Sequence, residues 1–182
     1  LLDTRRDGLS WINRSTSYEL ANSTQARNRE AWIALLEDLG LSYGFVTPAQ
    51  VAEGRLRSGG YRGLVLPRSI ALSENEVAEI IRFNRDGGLV VADCQPGLYT
   101  GRMVRRQRPA LDELLGIDGA RRHLLLNGDR ISPRARKVGL PYPVAEAGIE
   151  PTRATARNVN DGVPTVMTHR TGDNGGQTAY LN

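Results

Sequence analysis

The sequence predicts an α/β protein, doubly wound in three layers around a mostly parallel sheet. Three observations carry this. Residues 64–66 and 89–92 read Leu-Val-Leu and Leu-Val-Val-Ala, short unbroken apolar runs of the kind buried on both faces of a parallel sheet. Between them lies a segment with apolar residues at helical spacing, which makes a strand–helix–strand unit. Turn chemistry separates the pieces, at Gly59-Gly60, Asp86-Gly87-Gly88 and Pro96-Gly97.

Each element has its own justification. Residues 1–21 lack periodicity and are rich in hydrogen-bonding side chains, so 1–22 are assigned to an N-terminal interface segment. Ala31, Trp32, Leu35, Leu36 and Leu39 recur at helical spacing, and Gly40 sits where a left-handed cap belongs, which predicts a helix over 22–39. A strand is expected over 41–46. Thr47-Pro-Ala-Gln50 is a capping box with proline at the first helical position, opening a helix that runs to about Arg57. Ser73-Glu-Asn-Glu76 is a second capping box, and Val77, Ile80, Ile81 and Asn84 line one face of the helix that follows. Leu111, Leu114 and Leu115 predict a short core-packing helix. Beyond Ile117, prolines at 133, 141, 143, 151 and 164 break the chain into shorter apolar pieces. Strands are expected at 124–126, 163–167 and 178–181, with Thr171-Gly-Asp-Asn-Gly-Gly176 as a hairpin turn before the last. Residues 118–182 thus read as a β-rich extension that completes or flanks the sheet of one domain, 23–182.

Composition excludes several classes of function. Lys137 is the only lysine among 24 basic residues, and the net charge is +4. The densest basic clusters, Arg105-Arg106-Gln107-Arg108 and Arg121-Arg122, contain no aromatic residue for base stacking, so no nucleic-acid partner is implied. No apolar run is long enough to span a membrane, and no membrane partner is expected. A single cysteine excludes an internal disulfide, and His123 and His169 are not at a metal-ligand spacing. Neither a metal nor a cofactor is implied.

Cys94 follows the buried strand 89–93, at a carboxyl end where α/β proteins place functional groups. A nucleophile there needs a strained elbow, a histidine base and oxyanion-hole amides. Class I glutamine amidotransferases meet this with Gly-x-Cys-x-Gly, but Ala92 and Pro96 stand at the glycine positions, and their His-x-Glu pattern is met only by His169-Arg-Thr171. Cys94 and His169 are therefore weak catalytic candidates. Asp93 is the better polar candidate, as a cap of the following turn or a ligand contact. Asp112 and Glu113 are adjacent in a short helix and do not face each other, which sets them aside as a glycosidase pair. Trp11, Arg14 and Tyr18 suit a domain interface and, secondarily, a sugar.

The run Gly63-Leu-Val-Leu-Pro67, Ala71-Leu-Ser-Glu74, Phe83, Gly87-Gly88, Ala92-Asp93, Pro96-Gly97 and Leu111-Asp-Glu-Leu-Leu-Gly-Ile117 carries a family resemblance. Asp38-Leu-Gly40, Phe45-Val46 and the closing Gly176-Gln-Thr-Ala-Tyr-Leu-Asn182 extend it. The chain resembles the glutamine-amidotransferase-like domains of bacterial glycoside hydrolases, best known as the β-galactosidase trimerisation domain of family 42. The resemblance implies a flavodoxin-like fold with no catalytic residue of its own. It implies a (β/α)₈ catalytic barrel elsewhere in the same polypeptide, and homo-oligomers. It also implies a first strand, which is not evident here and is expected upstream of Leu1. Two other functions stay open on the residues alone: a cysteine hydrolase or amidotransferase using Cys94, and a carbohydrate-binding module.

Overall fold

The computed structural model describes residues 18–120, 123–124, 146–160, 163–171 and 175–182. Its elements follow the chain as α1 (Tyr18–Asp38), α2 (Pro48–Ala52), α3 (Arg55–Ser58), β1 (Gly63–Leu66), α4 (Glu74–Arg85), β2 (Leu89–Asp93) and α5 (Asp112–Leu115). There follow β3 (Ile117–Asp118), β4 (His123–Leu124), β5 (Glu146–Ala147), β6 (Glu150–Pro151), β7 (Thr155–Asn160), β8 (Val163–Arg170) and β9 (Gln177–Leu181). The fold is α/β, as the sequence predicts.

The main sheet has the order β1-β2-β9-β8-β7. β1, β2 and β9 are parallel, whereas β8 pairs antiparallel with both β9 and β7. The sheet is therefore mixed, which corrects the expectation of a mostly parallel one. The reason lies in the connections. β1 and β2 are joined through α4, a crossover that returns the chain in the same direction. Only two residues separate β7 from β8 and six separate β8 from β9, and connections that short join antiparallel neighbours.

The two capping boxes form as read. Thr47 N–H donates to Gln50 Oε1 at 2.9 Å, and Ser73 N–H donates to Glu76 Oε2 at 2.8 Å. The helix after Thr47 does not run unbroken to Arg57, because Gly54 takes φ 82° and divides it into α2 and α3. α1 starts at Tyr18, earlier than its apolar spacing indicated. Residues 41–45 are not a strand, and only Val46 makes an isolated bridge.

Val77, Ile80, Phe83 and Asn84 give α4 its buried face against the sheet. Leu64, Leu66, Val90, Met167 and Tyr180 supply the sheet's side of this core. Asn84 is fully buried and polar. Its Nδ2 donates to Gly88 O and Gln177 O, and its Oδ1 accepts from Thr171 Oγ1. Gly116 fastens the other side: at φ 68° its carbonyl accepts from the amides of Thr152, Arg153 and Ala154. A Cβ there would lie 2.7 Å from Ala154 N, so a side chain is excluded twice over.

Leu35, Leu39, Leu41, Tyr43 and Phe45 are exposed at the end of α1 and the segment after it. The rings of Tyr43 and Phe45 meet edge to face, with centroids 5.9 Å apart.

Candidate functional site

β1 and β2 end side by side, with Leu66 opposite Ala92. Immediately beyond them Arg68, Ser69, Asp93 and Gln95 are all buried. Four buried polar side chains at the carboxyl ends of two parallel strands are the densest such group among the described residues, at the place where this class of fold binds ligands.

Asp93 is the hub. Its Oδ2 accepts from Trp32 Nε1 at 2.7 Å and from Asn28 Nδ2 at 3.0 Å, and its Oδ1 accepts from the backbone N–H of Arg68. One carboxyl group thus ties α1, the end of β1 and the end of β2. Burial raises its pKa; the hydrogen bonds from Trp32, Asn28 and the Arg68 amide, and then the Arg68 charge, pull the other way. The neutral form has a partner in reach. Asn28 Oδ1 is buried with no hydrogen-bond partner, and half a turn of that amide would let it accept from a protonated Asp93. Ser69 Oγ is also buried without a partner.

The backbone here is strained. Arg68, Cys94 and Gln95 have φ of 44°, 25° and 54°, in the left-handed region that L side chains disfavour. Each such residue costs on the order of 1–3 kcal/mol and persists only where its surroundings hold it. Cys94 is half-buried, and its Sγ accepts from Arg68 Nη2 at 3.9 Å. A left-handed elbow and an adjacent cation are two of the features of a nucleophilic cysteine.

The base proposed from sequence is elsewhere. His169 on β8 is level with Thr178, and Thr178 with Val90. This puts His169 two strands across from β2 and roughly 13 Å back along it from Cys94, at about 3.3 Å per residue. Its Nδ1 instead donates to Leu114 O at 3.1 Å. The structure therefore separates the two weak catalytic candidates. Asp93 lies at the centre of the cluster with Cys94 beside it. Tyr18 opens α1, while Trp11 and Arg14 lie outside the described residues.

Sequence reasoning missed Asn28 and Arg106. Asn28 stands four residues before Trp32, on the same helical face, and that spacing was the available signal. Arg106 belongs to a basic cluster that its lack of aromatic residues set aside. Its Nη1 donates to Gly97 O at 2.9 Å and Tyr99 O at 2.6 Å, and its Nη2 to Leu72 O at 3.0 Å and Glu74 Oε1 at 2.5 Å. One guanidinium thereby holds the loop that leaves β2 against the loop that leaves β1. Arg106→Ala is expected to lower stability by about 2–3 kcal/mol, because three carbonyls lose a charged donor. Arg106→Lys should recover less than half of that, since an ammonium cannot reproduce the fork. Urea unfolding of both variants checks this, and full rescue by lysine would refute it.

No protein-family profile matches the sequence, and no curated protein matches it. Solved structures share its fold. Gan42B, a GH42 β-galactosidase from G. stearothermophilus, superposes with a TM-score of 0.58 at 19% identity, over 78% of this chain and 21% of that one. The cold-adapted β-galactosidase of a Rahnella species gives a TM-score of 0.61 at 21% identity, over 93% of this chain and 25% of that one. An exo-β-1,4-mannosidase from an Opitutaceae bacterium gives 0.50 at 17% identity, over 81% and 24%. The chain thus spans about a fifth to a quarter of the length of the structures it resembles.

Proposed function

We propose that this chain is a non-catalytic accessory domain of a glycoside hydrolase akin to the GH42 β-galactosidases. In this reading the domain is of the flavodoxin-like, amidotransferase-like kind, and a (β/α)₈ barrel in the same polypeptide performs the hydrolysis. The domain packs on the barrel and mediates self-association. The observation that carries this is the asymmetry of coverage: the likeness takes in 93% of this chain but only 25% of the Rahnella enzyme.

Two features of the chain support it. The carboxyl group at the centre of the strand-end cluster is spent on internal hydrogen bonds, with Asp93 accepting from three donors. The exposed apolar run Leu35, Leu39, Leu41, Tyr43 and Phe45 is surface of the kind that protein contacts cover. The test is to read the coding sequence on both sides of this segment. Eight strand–helix units with two strand-end carboxylates are expected. An open reading frame with no such barrel sinks the proposal.

The left-handed backbone at Cys94, with Arg68 beside its sulfur, favours a second reading in which Cys94 is a nucleophile. Cys94→Ala in the full-length protein separates the two. Any amide or ester hydrolysis by the parent should persist within about twofold in the variant, whereas removal of a true nucleophile costs about 10³-fold or more.

A further inference from the structure

We propose that a groove at the amino ends of β1, β2 and β9, opposite the Asp93 cluster, binds a carboxylate-bearing saccharide. The groove has a volume of about 680 Å³, within the range of small-ligand sites. Its rim carries Arg57, Arg62 and Arg170, and Asp86 is the one acid among the described residues that line it. Arg57 is neutralised, at 3.2 Å from Glu79 and 3.7 Å from Asp86. Arg62 and Arg170 are exposed and make no salt bridge among the described residues. Among the described residues, two arginines without a salt bridge therefore line one concave surface whose one acid is Asp86.

Register fixes where they stand. The Leu89 amide donates to Arg62 O, Val90 is level with Thr178, and Arg170 is level with Gln177. Gly63, Leu89, Gln177 and Arg170 thus lie in a row across four neighbouring strands, with Arg62 one residue before Gly63, and the two arginines stand roughly 15 Å apart at the usual strand spacing. Between them the floor is Gly88 and Gly176, with the half-exposed Leu89 and Tyr61 as apolar surface. A concave surface concentrates the field of the arginines that line it. A planar fork on either side fits a carboxylate, and Gln177 with the glycine backbone offers partners for hydroxyls.

The choice of a saccharide over another carboxylate rests on the accessory-domain reading; the anion site itself does not. Calorimetric titration of the full-length protein with trigalacturonate, galactotriose and hexaglutamate tests it, in the parent and in Arg62→Gln and Arg170→Gln. Trigalacturonate is expected to bind, with either substitution weakening it about tenfold and galactotriose binding at least about tenfold more weakly. Rising salt should weaken the parent's binding more than that of either variant. No binding, or equal binding in parent and variants, overturns the proposal. Hexaglutamate binding as tightly as trigalacturonate also overturns it, and points to a peptide site. A missing barrel alongside arginine-dependent trigalacturonate binding would sink the accessory-domain reading while leaving the groove standing.

Discussion

Asp93→Ala is expected to lower the folding free energy by about 3–5 kcal/mol and to loosen α1 from the sheet. The carboxyl group accepts from Trp32 Nε1, Asn28 Nδ2 and the Arg68 amide. Alanine leaves three buried donors without an acceptor and opens a cavity beside them. Asp93→Asn should cost far less, because it keeps the volume and the neutral side chain that burial favours. The pair of variants also isolates the pH dependence. Burial raises the Asp93 pKa above its ordinary 3.8, so the folded state prefers the proton more than the unfolded chain does. The stability this group contributes is fully present below the unfolded value and is lost as pH rises through the folded one. The carboxamide of the Asp93→Asn variant cannot titrate. The stability difference, parent minus Asp93→Asn, should therefore shrink or reverse as pH rises from about 4 through the raised folded-state value. Urea midpoints measured across that range decide the matter, together with Trp32 fluorescence as the reporter on α1. A difference that grows with pH would show that the donors and the Arg68 charge hold Asp93 ionised.

Legibility from sequence followed the range of the interaction. The capping boxes at Thr47 and Ser73 formed as read because all their partners lie within three residues. The strands at β1 and β2 were legible because unbroken apolar runs bounded by glycine have few other uses. The 41–46 strand was not realised, since a strand exists only beside a neighbour and sequence pattern does not supply one. The mixed sheet was also hidden. Residues 178–181 read equally well as parallel or antiparallel, and the position of β9 between β2 and β8 is a long-range fact. At the site, Asp93 and Cys94 were found from their place after a buried strand. Asn28 and Arg68 were not, because their roles depend on pairings 65 and 25 residues distant in the chain. His169 was paired with Cys94 on a partial His-x-Glu pattern, and the register of β8 and β9 places the two apart.

Asn84 shows the same principle in a residue the helical pattern placed correctly and described incompletely. The spacing Val77, Ile80, Ile81, Asn84 put it on the buried face, where an asparagine is out of place unless every polar atom is met. It is fully buried, and its amide spans three segments. Nδ2 donates to Gly88 O at 2.8 Å and Gln177 O at 3.0 Å, while Oδ1 accepts from Thr171 Oγ1 at 2.7 Å. The Gly176 amide donates to its backbone carbonyl at 2.7 Å. Asn84 thus joins the end of α4, the turn into β2 and the chain on both sides of the β8–β9 turn, and it lies beneath the arginine groove. Asn84→Leu, close in volume, should cost about 3–4 kcal/mol by stranding two carbonyls and a hydroxyl. Asn84→Asp should cost at least as much, because it turns an acceptor toward two carbonyl oxygens in a buried site. Thr171→Val removes one bond and should cost about 1 kcal/mol. The double variant Asn84→Leu with Thr171→Val should fall short of the sum by about 1 kcal/mol, the coupling of the shared bond. Chemical denaturation supplies all four values, and faster hydrogen exchange at the Gly176 amide should accompany the loss. If Asn84→Leu unfolds within about 0.5 kcal/mol of the parent, the network does not hold these segments together, and apolar packing of α4 alone sets the register of β9.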